Sequence, residues 1–266
     1  MSDNKQTSAT ISGLPPVRAV EPERVFRWLK LGARDIRSAP LQSLMHGVIV
    51  VLISAAILLA TQMQWQLVMI AASCFLFTGP FLATGLYAVS HSLEDGQKPN
   101  FSKAIHAWQH GCKCLFRFGL LLLLTCAAWA AISLLLFYLF VNVQIADPKD
   151  FMRYVLTQHD GLFLLWLVSG GLISALAFSI TVITMPLMVD KNVNTWVAIR
   201  TSVRAVGENP FTMVWWASAI LLLTGLSFAT GLLGFLVLYP LMGHASWHVY
   251  RDLVDTSSLP SYPVVE

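Results

Sequence analysis

FGLLLLLTCAAWAAISLLLFYLFV, residues 118–141, decides the fold. No Asp, Glu, Lys or Arg interrupts it or the residues up to Ala146. A hydrocarbon core of roughly 30 Å takes about 20 apolar residues per helical crossing. Inside it every backbone polar group must pair within the segment, as a helix allows. Three further uncharged tracts surround this one, at 38–93, 161–189 and 209–250. The first and the last are long enough to cross and return. Six spans are therefore expected, at about 44–60, 67–90, 118–141, 161–189, 211–228 and 232–250. The expected fold class is an all-α polytopic membrane protein.

Composition agrees. Of 266 residues, 56% are hydrophobic and 12% charged, where soluble proteins carry about a quarter charged. The net charge of +3 is small, and its basic residues gather at span edges, which argues against nucleic acid as a partner. A polar arm precedes the first apolar run with no cleavage site after an isolated apolar stretch, so insertion without a processed leader is expected. Of the Lys and Arg residues, only Lys149 and Arg153 fall on the far side of the six-span ladder. The excess of positive charge on the other side places both termini in the cytoplasm. Trp28, Trp65, Trp108, Trp196, Trp215 and Trp247 stand near span ends or in edge helices, as an interfacial aromatic belt requires.

The chain reads as three copies of one unit, an amphipathic interfacial helix followed by a hairpin of two spans. Aligned on Pro40 and Pro210, the first and third edge helices match Phe26 with Trp196, Leu29 with Ile199, Lys30 with Arg200, Arg34 with Arg204 and Ile36 with Val206. The returning spans align on Pro80 and Pro240, which pairs Tyr87 with Trp247, Val89 with Val249 and Leu93 with Leu253. Pro186 marks the middle copy, whose edge helix around 101–115 is degenerate. The units run at about 24–95, 100–190 and 192–255 within a membrane domain at 24–255. Residues 1–23 are expected to be a flexible arm and 256–266 a flexible tail.

In the first edge helix Val25, Leu29, Gly32 and Ile36 form one face and Arg27, Lys30, Arg34 and Arg37 the other. Such a helix is expected in the headgroup plane with its basic face toward anionic lipid. Pro80, Pro186 and Pro240 are expected helix breaks, where freed carbonyls or improved packing result. No charged residue is expected at mid-bilayer depth, which lowers the case for an ion-coupled carrier.

The densest polar string is His244-Ala245-Ser246-Trp247-His248-Val249-Tyr250-Arg251. His244 and His248 share a helix face, with Arg251 near the same stripe. The candidate functional patch is His244, Trp247, His248, Tyr250 and Arg251. His244 and His248 could ligate a transition metal or clamp a haem, with His46 or His91 as a third ligand; hydrogen bonds to neighbouring helices are the alternative. His106, His110, Cys112 and Cys114 form a second cluster that matches no zinc-finger spacing. Cys74 and Cys126 inside spans fit reduced, buried thiols. The spacing offers no Ser-His-Asp set, phosphate loop or carboxylate pair, so no enzyme activity and no resident cofactor are expected.

Several strings resemble a bacterial family of predicted integral membrane proteins of unknown function. They are Phe26-Arg27-Trp28-Leu29, Gly32-Ala33-Arg34-Asp35-Ile36, Ala39-Pro40, Gly79-Pro80-Phe81-Leu82-Ala83-Thr84-Gly85-Leu86-Tyr87, and Pro240 through Leu253. The resemblance covers roughly 24–255 and implies a six-helix protein of the bacterial inner membrane. Some relatives carry a cytochrome oxidase subunit I label; that subunit would call for twice the spans and an adjacent histidine pair, which this sequence lacks. The expected role is a non-enzymatic accessory, assembly or scaffold component. It would act through helix contacts with the bilayer and with other membrane subunits, using small residues at Gly79, Gly85, Gly170, Gly171, Ser174 and Gly225. Passive transport or lipid handling through the repeat interface is the alternative, and a haem- or metal-binding redox subunit a second.

Overall fold

Pro40 and Pro210 each open a helix one residue after the preceding helix ends. In the computed structural model, which describes residues 13–60, 75, 79–98, 112–141, 150, 153, 154, 157 and 161–262, α1 (Arg24–Ser38) turns at Ala39 (φ −136°, ψ 61°) into α2 (Pro40–Ala60). Much later, α7 (Thr195–Glu208) turns at Asn209 (φ −129°, ψ 48°) into α8 (Pro210–Ala229). Proline lacks an N–H and is preset for the first helical turn, so each corner needs one residue. The other helices are α3 (Thr84–Glu94), α4 (Cys112–Phe140), α5 (Leu162–Thr181), α6 (Thr184–Asp190) and α9 (Phe235–Leu253). Among the described residues no strand forms; there are two isolated bridges, Val17 to Val254 and Lys191 to Ser261.

Four helical stretches are long and apolar enough to cross a membrane: Pro40–Leu59, Arg117–Leu139, Phe163–Asp190 and Pro210–Ala229. They coincide with the first, third, fourth and fifth expected spans. Most of the first half of the second expected span, the middle edge helix to Gly111, and Trp65, Lys103, His106, Trp108, His110 and Lys149 lie outside the described residues. The sixth expected span corresponds to α9, which carries His244, His248, Arg251 and Asp252 along its second half. That half is buried on most sides, so these side chains meet protein and not hydrocarbon.

α9 is the axis of the bundle, and two glycines let other helices reach its backbone. A Cβ on Gly32 of α1 would stand 2.9 Å from the Leu241 carbonyl oxygen and from the Ala245 nitrogen. A Cβ on Gly47 of α2 would collide with the Leu236 carbonyl. Pro240 has no N–H to bond that carbonyl, so α2 covers a group the proline leaves open. Pro240 was an expected helix break; α9 instead runs unbroken through it, because packing from α1 and α2 holds both sides. Pro186 does mark an interruption. α5 stops at Thr181 and α6 starts at Thr184, and Ser202 of α7 bridges the gap by donating to the Ser179 carbonyl (2.7 Å) while accepting from the Ile183 N–H (3.1 Å). After Pro80 a turn at Ala83 separates residues 79–82 from α3.

The core gathers Trp28, Leu86, Ile183, Met185, Leu187, Trp216, Phe235, Trp247 and Tyr250, all nearly or fully buried. Among the described residues the buried Nε1 of Trp216 has no hydrogen-bond partner; its ring meets Trp28 edge-on at 6.0 Å, a geometry that suits an N–H over a π face. α4 and α5 form a separate pair around Cys126, Trp129 and Ala177. Gly170 lies directly under the Trp129 ring, and Trp166 Nε1 donates to Ser133 Oγ (3.1 Å). Cys126 is disulfide-bonded, which corrects the expectation of a free thiol; spacing along the chain does not say which sulfurs packing brings together.

Both ends are docked where they are described, against the expectation of a free arm and tail. Arg18 N donates to Leu253 O (2.8 Å) and Asp255 N to Pro16 O (2.9 Å). Asn209 holds the same segment twice, accepting from Val20 N (2.8 Å) and donating to Arg18 O (3.1 Å). At the other end Tyr262 donates to Met188 O (2.6 Å), and Asn192 N to Pro260 O (3.0 Å). Backbone pairing, which composition does not reveal, fixes both segments.

Candidate functional site

The second half of α9 delivers its polar string into two networks, not one stripe. His244, fully buried, faces α2 and α3: Nε2 lies 2.9 Å from Ser43 Oγ and Nδ1 2.7 Å from Ser90 Oγ. Ser90 donates to Asp35 Oδ2 (2.7 Å), and His248 Nε2 lies 2.9 Å from the same oxygen. Counting hydrogens assigns the protons. The Ser90 proton goes to Asp35, so Nδ1–H of His244 donates to Ser90. The Ser43 hydroxyl, 2.9 Å from Nε2, donates to the Ala39 carbonyl (2.7 Å). The chain runs from half-buried His248 through Asp35, Ser90 and His244 to Ser43, and joins four helices.

The other network faces α3 and α6. Trp247 Nε1 donates to Glu94 Oε2 (3.0 Å) and its ring stacks on His91 at 5.2 Å. Tyr250 donates to Asp190 Oδ2 (2.5 Å), while Arg251 reaches Glu94 (2.8 Å), Asp190 (3.4 Å) and Thr256 (3.1 Å). Arg251 thus turns away from the histidines whose stripe it was expected to share. Asp190 is 5% exposed and Asp35 8%; both carboxylates are surrounded by donors, as buried charge requires.

The metal expectation meets a different arrangement. Both nitrogens of His244 already face serines, His248 faces Asp35, and His46 Nδ1 lies 2.7 Å from the Gln42 carbonyl while its ring packs on Gly85. Among the described residues no group of three His, Cys, Asp or Glu side chains is placed to hold a metal. His106 and His110 lie outside the described residues.

The first edge helix keeps Arg27, Lys30, Arg34 and Arg37 exposed, as expected, and buries Val25 and Gly32. Its buried face also includes Trp28, whose Nε1 donates to Asp252 Oδ2 (2.9 Å), and Asp35. That face is covered by α9 and not by lipid. Sequence reasoning missed Asp35, Ser43, Ser90, Glu94 and Asp190. A signal existed for Asp35: Val25, Trp28, Gly32 and Asp35 recur at three and four residues, the spacing of one helix face.

Sequence reasoning also missed a cavity of about 640 Å³ on the opposite side of α9, between the α4–α5 pair and α8. Gly79, Gly171, Ser174, Ala217 and Gly243 give it small-residue walls, and aromatic side chains line the rest. Leu167, Val214 and Leu221 at its rim are more than half exposed, so it opens sideways along apolar helix surface. Its volume lies within the roughly 300–1,000 Å³ of small-molecule sites.

No curated protein and no solved structure matches the chain. The strings in α1 and α9 that carry the family resemblance lie outside the stretch that a known family covers. Residues 67–190 match the family described as "Predicted integral membrane protein (DUF2189)", the kind of family the sequence resembles, and with four membrane-length apolar helices the chain is an integral membrane protein.

Proposed function

We propose that this protein is a non-enzymatic lipid-handling protein of the bacterial inner membrane, which holds a hydrophobic ligand in the lateral cavity between the α4–α5 pair and α8. The cavity carries this reading. Polar solutes would need donors and acceptors along it, yet three of its hydroxyls are turned onto their own helices: Thr181 donates to Ala177 O (2.8 Å), Ser179 to Ala175 O (2.8 Å) and Ser246 to Met242 O (2.8 Å). An apolar chain entering from the bilayer needs no such partners.

The accessory reading drew on small residues at span faces. Most of them have uses inside this chain: Gly85 accommodates His46, Gly170 accommodates Trp129, and Gly79, Gly171 and Ser174 line the cavity. They therefore call for no partner helix, and lipid handling becomes the better account.

Contacts between helix ends support six crossings in three units. Asp35 on α1 meets His248 near the end of α9, Glu94 at the end of α3 meets Trp247, and Asp190 at the end of α6 meets Arg251. The four ends share one face, and the exposed arginines of α1 favour the cytoplasmic side for it. α2 leaves that face and α3 ends on it, which fits the expected second crossing at about 67–90. The two proline corners with matching backbone angles fit a repeated unit. α1 lies against α9 while α7 lies against α5 and α6, which fits each edge helix resting on the previous unit's return.

Lipid extraction and mass spectrometry of protein purified in bilayer nanodiscs test the reading. One class of lipid should be retained near stoichiometry and depleted in a Ser174→Leu variant that folds normally. Equal lipid content in that variant would overturn it.

A further inference from the structure

Resting on that reading, we infer that the cavity receives a membrane-soluble lipid bearing a flat, conjugated, carbonyl-containing ring, a quinone in chemical class, and that Thr224 donates to its carbonyl. The walls are unlike the surface that meets bulk lipid. At mid-helix the outward surface is aliphatic, as at Leu123, Leu124, Leu134, Leu172, Leu176 and Leu222. The cavity instead presents Phe75, Tyr87, Trp129, Trp166, Phe178 and Tyr239. A saturated chain gains by area alone and does as well against leucine. A flat π system gains offset-stacked or edge-on contacts that only aromatic walls supply. Glycine and alanine on the facing helices leave a slot, and a Cβ on Gly171 would meet nothing within 4 Å.

Thr224 gives the slot a polar handle. Unlike the cavity's other buried hydroxyls, it is turned onto the Met242 sulfur at 3.7 Å, although it is only 4% exposed. A thioether is a weak acceptor, and a buried donor held so weakly gains from a carbonyl brought within reach. Tyr239 is otherwise engaged, donating to Gly79 O (2.9 Å). The inference concerns binding and assigns no electron transfer.

The test measures protection of the full-length protein in nanodiscs against thermal unfolding by decylubiquinone and, in parallel, by palmitic acid. Decylubiquinone should raise the unfolding temperature more than palmitic acid. Gly171→Leu should abolish the effect, and Thr224→Val should weaken binding up to about tenfold, the loss of one buried hydrogen bond. Equal protection by both probes, abolished by Gly171→Leu, would overturn the ring and leave the lipid cavity standing. Full affinity in Thr224→Val would overturn the carbonyl assignment. Protection by neither probe, or protection by both that Gly171→Leu leaves intact, would overturn the site altogether. Should Gly171→Leu fail to fold, Ala217→Phe fills the same slot from α8.

Discussion

Ser90 Oγ sits 2.7 Å from His244 Nδ1 and thereby ties α3 to the axial helix α9 at a point with no access to water. Removing the hydroxyl strands an imidazole N–H and takes one donor from Asp35. A buried polar group left unsatisfied costs about 1–3 kcal/mol. Ser90→Ala is expected to lower stability by that amount in thermal unfolding, whereas Ser38→Ala, at an exposed position, changes it little. Equal melting of the two variants would contradict the hydrogen-bonded chain from His248 to Ser43.

Gly47 and Gly171 are both helical glycines, and the same substitution should act on them in opposite directions. Alanine at 47 meets the Leu236 carbonyl, a backbone group that cannot move without displacing α9; overpacking of this kind typically costs about 1–3 kcal/mol. Alanine at 171 enters open space and removes a flexible residue from a helix interior, a gain of up to about 1 kcal/mol. Parallel melting curves in one detergent decide it, and a Gly47→Ala protein as stable as wild type would remove the close approach.

The membrane class and four of the six expected spans were readable because uncharged length is a property of the chain alone. The interior was not. Asp35 stands between Arg34 and Ile36 in an arginine-rich run and reads as part of a solvated face, yet its register with Gly32 and Trp28 turns it inward. Ser43 and Ser90 look like ordinary span serines until α9 brings His244 between them. Pro240 looks like Pro186, and the close packing of Gly32 and Gly47 on either side of it is written nowhere in the local sequence. The cavity arises where two helix pairs diverge, and no local pattern records that angle.

Asn209 clamps the N-terminal segment through two hydrogen bonds, to Val20 and Arg18, and is itself held by a third to the Ala205 carbonyl. Asn209→Ala should release it, with trypsin cutting after Arg18 several times faster than in wild type while the membrane helices stay resistant. An unchanged cleavage rate would place the hold on this segment elsewhere.

Asp255 adds a pH dependence to the same clamp. The Ser257 backbone N–H, 3.0 Å from Oδ1, and Arg18 at 3.3 Å hold its carboxyl below the usual aspartate range. A carboxyl depressed in the folded state contributes stability above its unfolded value, about 3.9, and loses it as pH falls through the folded value. A nitroxide on Ala19→Cys should be immobile at pH 7 and gain mobility only below about pH 4. Mobility already high at pH 7, or rising near pH 6, would point to a different group.

The contacts among these helix ends also carry a parity that topology mapping can check. α1 lies along the second half of α9, with Trp28 2.9 Å from Asp252, so the start of α2 and the end of α9 share a side and an even number of crossings separates them. The four apolar stretches and α9 make five, and the second expected span, at about 67–90, would make the sixth. A reporter active only outside the cytoplasm is therefore expected to be silent when fused after Lys103 or Arg204, and active after Lys149 or Gly231. Activity after Lys103 would mean that the chain does not return before α4. The ends of α3 and α9 would then lie on opposite faces, which the 3.0 Å bond from Trp247 to Glu94 does not permit.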